Sequence, residues 1–223
     1  MLIFILLLLT SFFSYKYYAY LAGKKEGDHI IYYGSNPAIL LKYFGNEKGK
    51  ISFTSKQGCG MFTSLAAYNT HPQMIEAALK AGADVNCSLG EGVTALIGAA
   101  FYNSNPEIIS ILIKAGANVN AVDTPGSTAL MLAGRNKNPI ASYEMAQLLI
   151  KAGADIHIRD HNEATALMYA AVGGNSSLIT SLIQAGANVN ARNKNGQTAL
   201  DYAYKYKAPQ DVIDVLLKAG AVK

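Results

Sequence analysis

"KAGANVN" (residues 114–120) decides how this chain is read, because close copies of it return at a regular interval. They are "KAGADVN" at 80–86, "KAGADIH" at 151–157, "QAGANVN" at 184–190 and a truncated "KAGAVK" at 218–223. The alanine opening each "AGA" stands at 81, 115, 152, 185 and 219, giving spacings of 34, 37, 33 and 34 residues. A period of this size is the signature of stacked structural repeats rather than of one closed core.

The physical content of one period is visible in "GVTALIGAAFYNSNPEIISILIKAGANVN", residues 92–120. Thr94 has the hydroxyl that accepts a bond from a first-turn amide, so a helix is expected to start there. Gly98, Ala99 and Ala100 are small enough to let another helix come close. "NSNP" ends this helix, and Pro106 suits the first position of a second one, with Asn105 as its cap. Ile108, Ile109, Ile111, Leu112 and Ile113 cover more than one face, as a helix between two neighbours requires. Gly116 then closes the helix in the left-handed conformation, and Gly186 is expected to do the same. An extended arm with a turn at Thr124-Pro125-Gly126 follows.

"TAL" recurs at Thr94, Thr128, Thr165 and Thr198 in step with the first motif. Pro37, Pro72, Pro106, Pro139 and Pro209 each precede an apolar run. Insertions therefore fall inside the units. In the third, "RNKNPIASYEM" is expected to widen the turn between its helices.

These residues resemble the ankyrin repeats: Thr-x-Leu at the first helix, "LLIKAGADIH"-type endings, and a glycine two residues before most of the threonines. The resemblance covers about 58–223 and implies an all-α solenoid of about five helix-turn-helix units with projecting β-hairpin loops. It departs from the family where Thr-Pro-Leu-His becomes "TALI", "TALM" or "TALD", which removes a histidine the family uses between loop and helix. In the first unit Gly60 stands where the threonine belongs, as in an irregular terminal cap. The polar residues Asp201, Lys205, Lys207, Asp211 and Asp214 suit a cap at the other end. Residues 23–57 read as either a linker or a degenerate capping half-repeat.

Residues 1–22 open with "MLIFILLLLTSFF" and read as a signal peptide or an N-terminal membrane anchor. No basic residue precedes the run and no clear small-x-small cleavage site follows. Lys16, Lys24 and Lys25 all follow it; in an uncleaved anchor they would hold the rest of the chain in the cytoplasm. Export or membrane tethering is the preferred reading, with the side of the membrane open. Membrane contact is assigned to this segment alone.

The formal net charge of +4 is too small to argue for nucleic acid, which needs a concentrated basic face. Cys59 and Cys87 form at most one pair, with no metal-type spacing. Whether they pair is left open, and two free thiols are the simpler reading.

No phosphate loop, nucleophile elbow or zinc motif is present, so no enzyme and no cofactor are expected. Asp155, His157, Asp160 and His161 are metal-ligand types, but their place in an arm makes them solvent-facing, and no metal is assigned. "NSS" at 175–177 is a formal glycosylation sequon.

What the resemblance does imply is a concave wall of loop tips and first helices that binds a protein. By repeat alignment its side chains are Leu89, Glu91, Phe101 and Tyr102, then Val122, Asp123, Arg135, Arg159, His161, Tyr169, Arg192 and Lys194. Phe101 and Tyr169 read equally well as packing between helices. The expected state is a monomer bound to a protein partner. A second reading of the same wall is a dedicated inhibitor that neutralises a secreted toxin or enzyme, as some bacterial ankyrin-like immunity proteins do.

Overall fold

The computed structural model of the protein describes residues 56–222. The apolar run at 1–22 and nearly all of 23–57 lie outside the described residues. In chain order the helices are α1 (Lys56–Tyr68) and α2 (Pro72–Lys80), α3 (Ala95–Tyr102) and α4 (Pro106–Lys114), α5 (Ala129–Ala133) and α6 (Pro139–Lys151), α7 (Ala166–Gly173) and α8 (Ser176–Gln184), then α9 (Ala199–Lys205) and α10 (Gln210–Lys218). These are the five units expected from the period. First helices pack on first helices and second on second along the stack.

The local chemistry explains the boundaries. Thr94, Thr128, Thr165 and Thr198 each accept the amide of the third residue of their helix, and Thr198 completes a capping box with Asp201. Pro72, Pro106 and Pro139 occupy first-turn positions, where a missing amide costs nothing. Asn105, Asn138 and Asn175 cap α4, α6 and α8. Gly116 and Gly186 have φ of +89° and +97°, the left-handed helix end expected of them.

The core runs through the stack as one layer of buried aliphatics, including Phe62, Leu96, Ile97, Ile109, Leu130, Leu149, Leu167, Ile179 and Leu200. Small residues bring the first helices together: a Cβ placed on Gly98 would stand 3.3 Å from Cβ of Ala67. Between units, buried amides fix the register. Asn103 donates to the carbonyls of Ala66 and Asn69, and Asn136 to those of Ala100 and Asn103.

The first unit is irregular, as expected: it lacks a capping threonine, and α1 runs on through Gly60 back to Lys56. Two expectations need revision. The extra residues of the third unit lie in its second helix, since α6 has 13 residues where α4 has 9. The connection is also longer, 134–138 against 103–105, but because α5 stops early. Cys59 and Cys87 are not free thiols: they form a disulfide, with Cα atoms 5.7 Å apart, tying α1 to the arm before α3. That arm carries β1 (Ser88–Leu89) and β2 (Val93–Thr94), paired antiparallel. The next arm has a single bridge, Val122 to Thr128. The last two keep the same closing bond without a ladder, from Asp160 N–H to the Ala164 carbonyl and from Asn193 N–H to the Gln197 carbonyl.

The fourth unit breaks the frame twice. In the arms, the side chain of Asn86 donates to the Gly116 carbonyl and accepts from the Asn118 amide, and Asn120 and Asn190 repeat this toward their neighbours. His157 stands at the equivalent position and makes no such pair. Glu163 stands where the other arms have Gly92, Gly126 or Gly196, and takes φ of +60°. A side chain in that region costs on the order of 1 kcal/mol or more.

Two predictions follow from this frame. His157→Asn restores the amide bridge and Glu163→Gly relieves the strained arm; each is expected to raise unfolding stability by about 1 kcal/mol in urea titration. No gain from either variant contradicts the account of the frame. The disulfide closes a loop across 28 residues, so Cys59→Ser/Cys87→Ser is expected to lose about 3 kcal/mol. Reductant should lower the melting temperature of the parent protein to that of the double variant and leave the variant unmoved.

Candidate concave binding face

The arms stand beside one another because their backbones bond from tip to tip. Thr124 N–H donates to the Glu91 carbonyl at 2.7 Å, His161 N–H to Pro125 at 2.8 Å, and Lys194 N–H to Asn162 at 2.9 Å. The tips thus form a continuous rim, and the first helices form the wall below it.

The last three tips are closed by an acidic or amide side chain five residues before the capping threonine, where the first arm has Leu89. Asp123 accepts the Ser127 amide at 2.6 Å, Asp160 those of Asn162 and Ala164, and Asn193 those of Asn195 and Gln197. Asp123, placed on the wall by alignment, thus has its carboxylate turned into its own arm. Burial pushes its pKa up and the Glu91 charge adds to that, while hydrogen bonds from Ser127 pull the other way.

Tyr169 is half-buried and works between arms. Its hydroxyl donates to Asp160 at 2.9 Å and lies 3.2 Å from the Ser127 hydroxyl of the preceding unit. Burial, with the neighbouring Asp160 carboxylate, raises its pKa well above 10.0. Tyr202 repeats the arrangement one unit on, accepting from the Asn193 amide at 2.9 Å.

The remaining sequence-predicted positions divide by exposure. Leu89 and Phe101 are partly buried, and Leu89 lies against Gly60. Glu91, Val122, His161 and Lys194 are exposed on the rim. His161 packs on Gly126, where a Cβ would stand 2.9 Å from its ring. Arg159 and Arg192 are exposed but engaged: Arg159 donates to the Arg192 carbonyl and pairs with Glu163 at 3.7 Å, and Arg192 donates to the Gly196 carbonyl. Arg135 lies over the rings of Phe101 and Tyr169. Tyr102 is 47% exposed and stacks with Tyr68, a residue the alignment missed, at 4.9 Å between ring centroids. Lys205, Tyr204 and Tyr206 extend the aromatic and cationic surface at the C-terminal end and were also missed; in the sequence Lys205 reads only as part of a polar cap.

Both acids among the four loop residues with metal-ligand chemistry have other uses. Asp155 accepts the His157 amide, and Asp160 is committed to its arm and to Tyr169. Among the described residues no group of three or more such side chains is placed to hold a metal. Asn175 of the sequon is buried; its amide donates to the Pro139 carbonyl and the Ser142 hydroxyl, and its oxygen caps α8. A glycan on that nitrogen is incompatible with this structure. No helix among the described residues is long and apolar enough to cross a membrane.

The environment of Tyr169 predicts a particular alkaline response. Its raised pKa means that the fold holds the neutral phenol, so its contribution is intact below pH 10 and is lost as pH rises beyond that. Tyr169→Phe is expected to cost about 1 kcal/mol at neutral pH through lost hydrogen bonds. It should also flatten the fall in stability above pH 10, measured by denaturant titration at a series of pH values. An unchanged alkaline slope would remove Tyr169 as its source.

A search of curated proteins finds no match. A family model described as "Ankyrin repeats (3 copies)" matches residues 63–160 and again residues 140–223. Those matches cover the stack of capped helix pairs and bonded arms described above, and the chain belongs to the ankyrin-repeat family, whose repeats are protein–protein interaction modules.

Proposed function

We propose that this protein is exported and, in an oxidising compartment, binds a protein partner through the concave face of its loop tips and first helices. The observation that carries the binding reading is the rim itself. Backbone bonds from Glu91 to Lys194 hold the tips in line without using their outward side chains, leaving a preorganised surface free for contact. Exposed Tyr102, Tyr68 and Arg135 are of the types that dominate binding energy at such surfaces.

Two observations support export. The N-terminal apolar run has the length of a signal-peptide core. The Cys59–Cys87 disulfide belongs in a secretory, periplasmic or extracellular setting, because cytosolic thiols are kept reduced. Together they favour placing the repeats outside the cytoplasm over the anchored, inward-facing alternative. The chain's role is contact rather than chemistry, as is typical of the family.

Photo-crosslinking in the native host tests the binding face. A crosslinker at Tyr102 or Lys194 is expected to give a discrete protein adduct, and one at Glu107 or Lys114 on the second-helix side to give none. Adducts from the second-helix side alone would move the site to the opposite face. Trapping free thiols in intact cells tests compartment independently: the full chain should take no alkylating label at Cys59 or Cys87 until reduced, and labelling without reduction would count against export.

A further inference from the structure

The seventh residue after each capping threonine falls on the wall, and along the stack this position reads Phe101, Arg135, Val172, Lys205. Two cations therefore share one register, two units apart. Both lie on aromatic rings. The Arg135 guanidinium carbon is 5.8 Å from the ring centroid of Phe101 and 6.0 Å from that of Tyr169. The Lys205 ammonium is 6.0 Å from the Tyr202 ring and 5.5 Å from that of Tyr206. Contacts of this kind hold a cation in place while leaving its donors open.

The backbone that places Arg135 is unusual in this stack. Helix α5 stops at Ala133, three residues sooner than α3 stops in its unit, and Arg135 follows on a turn. The turn lies directly against α7. A Cβ on Gly134 would stand 2.9 Å from the Ala170 nitrogen, and one on Gly173 would collide with the Gly134 carbonyl. Two glycines thus let the turn sink onto α7, which sets Arg135 between Phe101 and Tyr169.

Neither cation is neutralised. The Arg135 guanidinium and the Lys205 ammonium have no hydrogen bond or ion pair among the described residues, whereas Arg159 already has Glu163 and the Arg192 carbonyl. Two acidic groups beside the wall are already occupied: Asp160 accepts from Tyr169 and its arm, and Asp201 caps α9. A planar guanidinium with free donors, held on aromatic faces, is matched to a carboxylate.

We infer that the wall recognises an extended acidic segment of a protein partner, one side-chain carboxylate meeting Arg135 and a second meeting Lys205. This rests on the concave-face reading and names the partner's chemistry. Helix axes packed at about 8–10 Å place the two cations roughly 16–20 Å apart, since they are two units apart. An extended chain covers that span in about five or six residues. The rings between the cations give apolar contact to the intervening residues.

The test uses the full chain and two peptides amidated at the C-terminus, decaglutamate and decaglutamine, with fluorescence anisotropy in low and physiological salt. Decaglutamate is expected to bind with a salt-sensitive Kd and decaglutamine not to bind. Arg135→Gln and Lys205→Gln should each weaken binding at least fivefold, and Lys114→Gln on α4 should leave it within twofold. Arg135→Lys keeps the charge but loses the planar fork, and is expected to fall between. Melting curves confirm that each variant is folded. Equal binding of the two peptides, no effect of either wall variant in folded protein, or tighter binding of the oligonucleotide dT10 than of decaglutamate would each overturn the inference. Crosslinking from Tyr102 and Lys194 that persists in such a case would leave the concave-face reading standing.

Discussion

Short helices leave carbonyl oxygens at their ends without intrahelical donors, and in this stack those oxygens are met by the next unit. Asn103 and Asn136 reach back to the carbonyls at the ends of the first helices and in the turns of the units before them. Asn86, Asn120 and Asn190 reach forward to the carbonyls of Gly116, Gly153 and Gly220. A unit taken alone would leave these groups buried and unpaired, or else exposed together with the aliphatics of both its faces. Stacking removes both costs at once, so the repeat is a property of the array rather than of its members.

The same requirement separates frame from surface. Side chains that cap, close or bridge are held to a few types: threonine before first helices, asparagine at turns, an acid or amide closing three of the four arms. Side chains that point from the rim carry no such duty, and there the chain varies, from Glu91 to His161 to Lys194. The frame holds the rim by backbone bonds, so variation at the tips leaves the stack intact. That is how one frame presents different side chains at each of its tips.

Most of the frame was legible in the sequence because each part has a local cause. Thr94, Pro106 and Gly116 act through their own backbones and immediate neighbours, so their spacing alone predicts a helix start, a second helix and its end. What was not legible depends on contacts between segments. Nothing local to Cys59 or Cys87 says that α1 and the first arm meet there. The length of α6 was misplaced because three residues added to a unit leave no mark of which helix takes them. At the site, alignment located the wall but not the use of its residues: Asp123 looks like an exposed polar side chain in sequence and is an internal fastener in space, and Tyr169, which reads equally as wall or as helix packing, fastens two arms through its hydroxyl. Lys205 went unnoticed for the converse reason, since a lysine in a terminal unit is the ordinary sign of a solvated cap.

Departures from the frame gather in the middle of the stack, and they are connected. With His157 in place of an asparagine, the third and fourth arms lose the amide bridge that joins the others. Arg159, two residues on, spans the same gap by donating to the Arg192 carbonyl. It is braced by Glu163, the residue that occupies the strained glycine position. The exposed pair of Arg159 and Glu163 contributes little by itself. Its effect is to aim the guanidinium at a backbone carbonyl, where a charge-assisted bond is stronger than a neutral one. The arm thus replaces a short neutral bridge by a longer charged one and takes on backbone strain to do so. Arg159 is thereby drawn into the structure, and Arg135, one unit earlier and set between two rings, is left as the arginine of this wall with its donors unused.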